Sequence, residues 1–171
     1  MTLLRLLPHQ TLRTFRLATL SAAAILLTPL ASALPQHAQH TPPPCALLSP
    51  AQIKTVLNTP VLDGKPGTPS DGTTDCTWPD SKGETRLYLS LKDPGIEYKS
   101  FHDSMLATGR LVPVAGLSAD AFYIASAGNS AALYVLKGKH LLLITVNGVG
   151  YTKVQNESAE RTLATEILPK L

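Results

Sequence analysis

Cys45 and Cys76 are the two cysteines of the sequence, and two chemistries are open to them: a disulfide or a nucleophilic thiol. A thiol nucleophile needs a base beside it, and no motif around either cysteine supplies one. Both lie downstream of a stretch that reads as a secretory leader, so a Cys45–Cys76 disulfide is the expected outcome. His102 and Asp103 adjoin on a segment with helical periodicity, where neighbours point in different directions and are poorly placed as an acid–base pair. His37 and His40 fall short of a metal-ligand set, and the prolines around them oppose the helix that would align them. Lys137, Lys139 and His140 cluster at a turn that could receive an anion, but charges at turns are ordinarily solvated. Gly148-Val149-Gly150-Tyr151 begins like a dinucleotide loop, yet Lys153 stands where the third glycine belongs and no βαβ unit surrounds it. No catalytic residue, metal or cofactor is expected from these patterns. The side chains suited to contacting a ligand are Trp78, Arg86, Tyr88 and Tyr134. Trp78 also suits core packing beside the disulfide.

The elements that must position these residues follow from period and punctuation. Ser49, Pro50 and Gln52 form a capping box, with Leu48 and Ile53 as its hydrophobic staple, and they start a short helix that ends at Asn58-Thr59-Pro60. Residues 61–75 are rich in Gly, Pro, Asp and Thr and read as a loop that could rim a site or serve as a surface connection. A first strand holds Cys76 and Trp78. Residues 84–92 form a second, with Leu87, Leu89 and Leu91 on one face and Arg86, Tyr88, Ser90 and Lys92 on the other. Asp93-Pro94-Gly95 turns into a helix of about three turns that carries Tyr98, Phe101, Met105 and Leu106 on one side and stops at Gly109. Residues 111–114 are a short strand or linker, and a strand runs from Gly116 to about Ala125. A turn at 127–130 leads into a hairpin over 131–146. Gly138 suits the first central position of a two-residue type II′ turn, which sets Leu136 opposite Leu141, Tyr134 opposite Leu143 and Leu133 opposite Ile144. Asn156 is the expected cap of a last helix over 157–168, with Ala159, Leu163, Ile167 and Leu168 inward. The expected fold is α+β: a mainly antiparallel sheet of about five strands with three helices packed against it.

The ends set the context. Residues 1–33 carry Arg5, Arg13 and Arg16, an apolar run over 17–30, and Ala31-Ser32-Ala33 as a signal-peptidase site. Residues 34–44 are a Pro-rich tether, and residues 45–171 suit one domain. The chain has 15 Lys and Arg against 12 Asp and Glu, and three of the Arg lie in the leader, which leaves the remainder balanced at 12 each. A nucleic-acid partner therefore has no global electrostatic support, and stable membrane insertion after leader removal is not expected.

Cys45-Ala-Leu-Leu-Ser-Pro, Cys76-x-Trp78, Gly116-Leu-Ser-Ala-Asp-Ala and the strand-Lys-Gly-strand hairpin before the final helix follow one another over about residues 45–168. In that order and spacing the chain resembles a family of small exported bacterial proteins and lipoproteins of unassigned function. Members often carry a lipobox, which Pro42-Pro43-Pro44-Cys45 lacks. The layout is also similar to the fold of the photosystem accessory protein PsbP, an antiparallel sheet between helices. The export signal, the balanced charge, the stapled single domain and the lack of a catalytic constellation make the leading expectation a periplasmic or secreted, non-enzymatic binding or accessory domain whose partner is an envelope protein or a small ligand. Two other expectations stand beside it: a hydrolase assembled from distant residues such as His102 and His140, and a secreted inhibitor or effector acting through the 61–75 loop.

Overall fold

The computed structural model describes residues 42–171 apart from 69, 71, 118–119 and 126–129. The leader, most of the tether with His37 and His40, and most of the turn at 127–130 lie outside the described residues. A 3-10 turn, Pro44–Ala46, precedes α1 (Pro50–Leu57). Then come β1 (Lys65–Pro66), β2 (Thr73–Pro79), β3 (Thr85–Lys92), α2 (Glu97–Ala107), β4 (Leu111–Pro113), β5 (Asp120–Ile124), β6 (Leu133–Lys137), β7 (His140–Val146) and α3 (Lys153–Ile167). The strands form one antiparallel sheet in the order β1-β2-β3-β7-β6-β5-β4.

The α+β class holds, but the sheet has seven strands and not about five. The two short edge strands account for the difference. β1 lies inside the expected loop and contains a proline, and β4 is three residues long, so neither carries a readable period. Each is strand only because a longer neighbour offers it a ladder. The 61–75 segment is accordingly strapped along β2: Gly67 N–H donates to Asp75 O, and Leu62 N–H to Pro79 O.

One face of the sheet carries the core. Cys76, Trp78, Leu87, Leu89, Leu133, Val135, Leu142, Ile144 and Val146 are buried there together with Ile53 and Leu57 of α1 and Leu163, Ala164 and Ile167 of α3. The capping box at Ser49 and Gln52 is formed as expected. Gln52 also reaches Glu166 of α3 at 2.8 Å, and the Tyr151 hydroxyl donates to Leu57 O at 2.8 Å, so α1 is tied at both ends. The hairpin pairs Leu136 with Leu141, Tyr134 with Leu143 and Leu133 with Ile144, and Gly138 has φ 57° in its turn.

The last helix begins earlier than expected. Thr152, not Asn156, is its N-cap, with Gln155 completing a second capping box. Asn156 is buried, and its side-chain oxygen accepts from Gly148 N–H at 3.0 Å. Arg161 of the same helix donates to Ala115 O at 2.9 Å.

Cys45 and Cys76 are joined, with Cα atoms 5.2 Å apart, and the bridge fixes the chain before α1 to β2. Gly64 closes over this corner: a Cβ built on it would stand 2.7 Å from Cys76 Sγ and 2.8 Å from Trp78 Nε1. Gly64→Ala should therefore push the 61–68 segment off β2 and cost about 1–3 kcal/mol. Urea denaturation followed by Trp78 fluorescence measures this, and an unchanged midpoint would refute the close packing.

Candidate functional site

The second face of the sheet is only partly covered. It carries Asp75 and Thr77 of β2, Tyr88, Ser90 and Lys92 of β3, Leu141, Leu143 and Thr145 of β7, Tyr134 and Leu136 of β6, and Phe122 and Asp120 of β5, as alternation and register require. The strand order explains what covers it. β3 sits beside β7, and β4 is the opposite edge, so the chain between them must cross β7, β6 and β5. α2 lies on that crossing and seats its aromatic residues on this face.

The seat is a chain of rings. Phe122, fully buried, stacks on Tyr134 with centroids 5.3 Å apart, and the His102 ring meets Phe122 edge-on at 5.3 Å. Phe101 packs on Tyr134 at 5.9 Å, and Tyr98 on His102 at 5.9 Å. Tyr98 donates to Asp120 Oδ2 at 3.1 Å. Burial, with the Asp120 charge beside it, pushes the Tyr98 hydroxyl well above its ordinary pKa. Between the N-terminal half of α2 and the sheet lies a groove of about 760 Å³. Tyr134, Leu141 and Leu143 form its floor and Tyr98 and Phe101 its wall, while Ser90 and Lys92 lie at the β3 side. Thr73, Asp93 and Glu97 add polar and charged groups to its rim, so an apolar floor meets a polar mouth. Its volume falls within the roughly 300–1,000 Å³ of small-molecule pockets.

The four candidate ligand contacts do not form one site. Tyr134 lines the groove. Tyr88 stands on the same face, two positions along β3 from Ser90, and donates to Asp75 Oδ2 at 3.3 Å. Desolvation raises both tyrosine hydroxyls above the ordinary range. Trp78 lies on the opposite face, fully buried in the main core, so its role is packing beside the disulfide. Arg86 is occupied by the β2–β3 turn: its Nε and Nη2 donate to Asp80 Oδ2 at 2.9 and 2.6 Å, and Nη2 also pairs with Glu84. The Arg86 guanidinium holds the Asp80 carboxyl below its ordinary pKa, and Asp80 in turn accepts the Lys82 and Glu84 amides.

Leu141 and Leu143 were readable as partners of Tyr134 from the hairpin register. An apolar pocket shared by Phe101 and Tyr134 is also an expectation of residue type, but that α2 lies across this face and brings them together depends on strand order.

The two described histidines are not brought together. His102 is on α2 over the second face, with Nδ1 3.5 Å from Asp103 Oδ1 and Nε2 3.8 Å from Asp120 Oδ2. It thus approaches Asp103 despite their adjacency, at the limit of hydrogen-bond length. His140 pairs with Lys137 at the hairpin tip, in register with Val135 and Leu142 of the core face. Among the described residues no group of three or more His, Cys, Asp or Glu could hold a metal ion, and no helix is long and apolar enough to cross a membrane. A smaller cavity of about 360 Å³ lies against α3 beside Tyr123, where the Tyr123 hydroxyl donates to Glu157 O and Arg161 to Ala115 O.

Fold and groove together define an α+β domain with one packed sheet face and one face partly covered by a helix. The disulfide is compatible with an extracytoplasmic location. No family profile and no curated protein matches the chain. A GTP binding regulator from Thermotoga maritima is a solved structure similar to it at 18% identity, covering 76% of this chain and 94% of that one with a TM-score of 0.34.

Proposed function

We propose that this protein is an exported, periplasmic or secreted, non-enzymatic binding domain that takes a small, largely apolar ligand in the groove between α2 and the sheet. The observation that carries the reading is the groove itself, about 760 Å³ with a floor of Tyr134, Leu141 and Leu143. Secretory features in residues 1–33 and the disulfide support export. The resemblance to small exported bacterial proteins points the same way. A hydrolase is disfavoured because His102 and His140 belong to opposite faces of the sheet. An inhibitory loop is disfavoured because the described part of 61–75 is strapped along β2 instead of projecting.

A neutral fluorescent probe of apolar sites, N-phenyl-1-naphthylamine, tests the reading. Its fluorescence should rise saturably with the protein, and Leu143→Arg, which places a charge on the groove floor, should weaken binding at least tenfold, about 1.4 kcal/mol. Circular dichroism of the variant checks that the sheet is retained. Absence of saturable binding, or equal binding by a folded Leu143→Arg protein, would overturn the assignment.

A further inference from the structure

The three helices are secured very differently. α1 and α3 each begin with a complete capping box, and each buries apolar residues in the main core. α2 has eleven residues, no side-chain cap and no buried residue. Its N-cap, Ile96, is 97% exposed, and Leu106 near its other end is 57% exposed. A helix of this length is marginal in water alone and depends on tertiary packing for its stability. That packing comes from the half-buried Tyr98, Phe101, His102 and Met105, helped by the hydrogen bond from Tyr98 to Asp120.

The two ends of α2 also differ. At its C-terminus Arg110 N–H donates to Met105 O and Gly109 N–H to Leu106 O, with Gly109 at φ 66°. This is the Schellman arrangement, and it ties the helix end to β4 directly after it. At its N-terminus the chain leaves β3 through Asp93-Pro94-Gly95, with Gly95 at φ 60°, and the groove opens beneath this end.

From this geometry we infer that α2 is a lid over the groove, hinged at its Gly109 end and latched near its N-terminal end by Tyr98 on Asp120. The inference rests on the binding reading above and adds how the site is reached. When the latch opens, the groove widens along Tyr134, Leu141 and Leu143, and the lid closes again over an apolar molecule by restoring the ring contacts of Phe101 and His102. Small, local openings of this kind are drawn from the parts of a fold with few buried contacts.

Amide hydrogen exchange of the ligand-free protein, read by mass spectrometry or NMR, tests the lid directly. Amides of Phe101–Ala107 should exchange at least 100-fold faster than those of Leu163–Ile167 in α3. Tyr98→Phe, which removes the latch hydroxyl and keeps the ring, should speed exchange in α2 a further three- to tenfold and leave α3 unchanged. Protection of α2 equal to that of α3 would overturn the lid. So would a Tyr98→Phe effect that is absent, or that is spread equally over α2 and α3. Because no ligand is present, these outcomes are separate from those of the probe titration. A rigid α2 in a protein that binds the probe removes the lid and leaves the binding site, whereas an opening α2 in a protein that binds nothing removes the binding site and leaves the opening motion.

Discussion

Replacing Cys45 and Cys76 by alanine lowers the unfolding free energy by about 3–4 kcal/mol, the loss expected when a loop of this length is no longer closed in the unfolded chain. The bridge spans a sequence separation of 31 residues. In the unfolded protein it ties the chain before α1 to β2 and removes the conformations in which they are apart. In the folded protein Cys76 is fully buried beside Trp78, and Gly64 packs on its sulfur, so truncation also leaves a small void at this corner. Guanidinium denaturation of the oxidised protein, the reduced protein and the double-alanine variant measures the loss. Reduced and double-alanine proteins should unfold at clearly lower denaturant than the oxidised protein. Coincident midpoints would show that the bridge contributes nothing.

Glu160 gives the second large effect, and it depends on pH. Its side chain is fully buried on α3, and burial pushes its pKa from the ordinary 4.5 up to about 8. The reason for its burial is in the sheet. Asn147 N–H donates to Arg86 O of β3, so Val146 N–H, one residue back, points to the β6 side. β6 begins at Leu133, opposite Ile144, and offers no rung there. Glu160 Oε1 accepts that amide at 2.9 Å and stands in for the missing strand. The Tyr123 hydroxyl, which donates to Glu157 O, lies close enough to the Glu160 carboxyl to oppose part of the shift, and burial outweighs it.

The folded carboxyl keeps its proton up to about pH 8, while the unfolded one releases it near 4.5. The stabilisation is therefore complete below about 4.5 and is lost progressively as pH rises to about 8, at a rate on the order of 1 kcal/mol per pH unit. Glu160→Gln keeps an acceptor for Val146 and cannot ionise. Its stability should stay nearly level between pH 5 and 8, where the parent falls steadily. Urea midpoints of both proteins at each pH unit provide the comparison, and parallel pH profiles would sink the account.

The sequence was most informative where local chemistry determines local geometry. The register of the 131–146 hairpin follows from Gly138, and the start of α1 follows from Ser49, Pro50 and Gln52. The alternation of residues 84–92 correctly separated Leu87, Leu89 and Leu91 from Tyr88 and Ser90. The start of α3 was misplaced because two cap chemistries lie close together. Thr152 with Gln155 is a full capping box, and Asn156 is drawn off by the Gly148 amide. Trp78 and Arg86 were grouped with the tyrosines by residue type, whereas the position of Trp78 on the face of Cys76 and the ties of Arg86 to Asp80 separate them. The groove itself could not be read from any one segment. It exists because α2 crosses the face on its way from β3 to a distant edge, and strand order is a property of the whole sheet.

That strand order also constrains the history of each molecule as it is made. The seam at the middle of the sheet joins β3 to β7, with Leu87 beside Val146 and Lys92 beside Leu141. A chain emerging from its N-terminus can pair β2 with β3 early, but the inner edge of β3 stays unpaired until nearly the whole domain has appeared. During that interval Leu87, Leu89 and Leu91 have neither their neighbouring strand nor α3 above them. Such an edge is open to pairing with other chains, and pairing between distant segments is slow to form. A protein built this way benefits from being kept unfolded until its last residues are available.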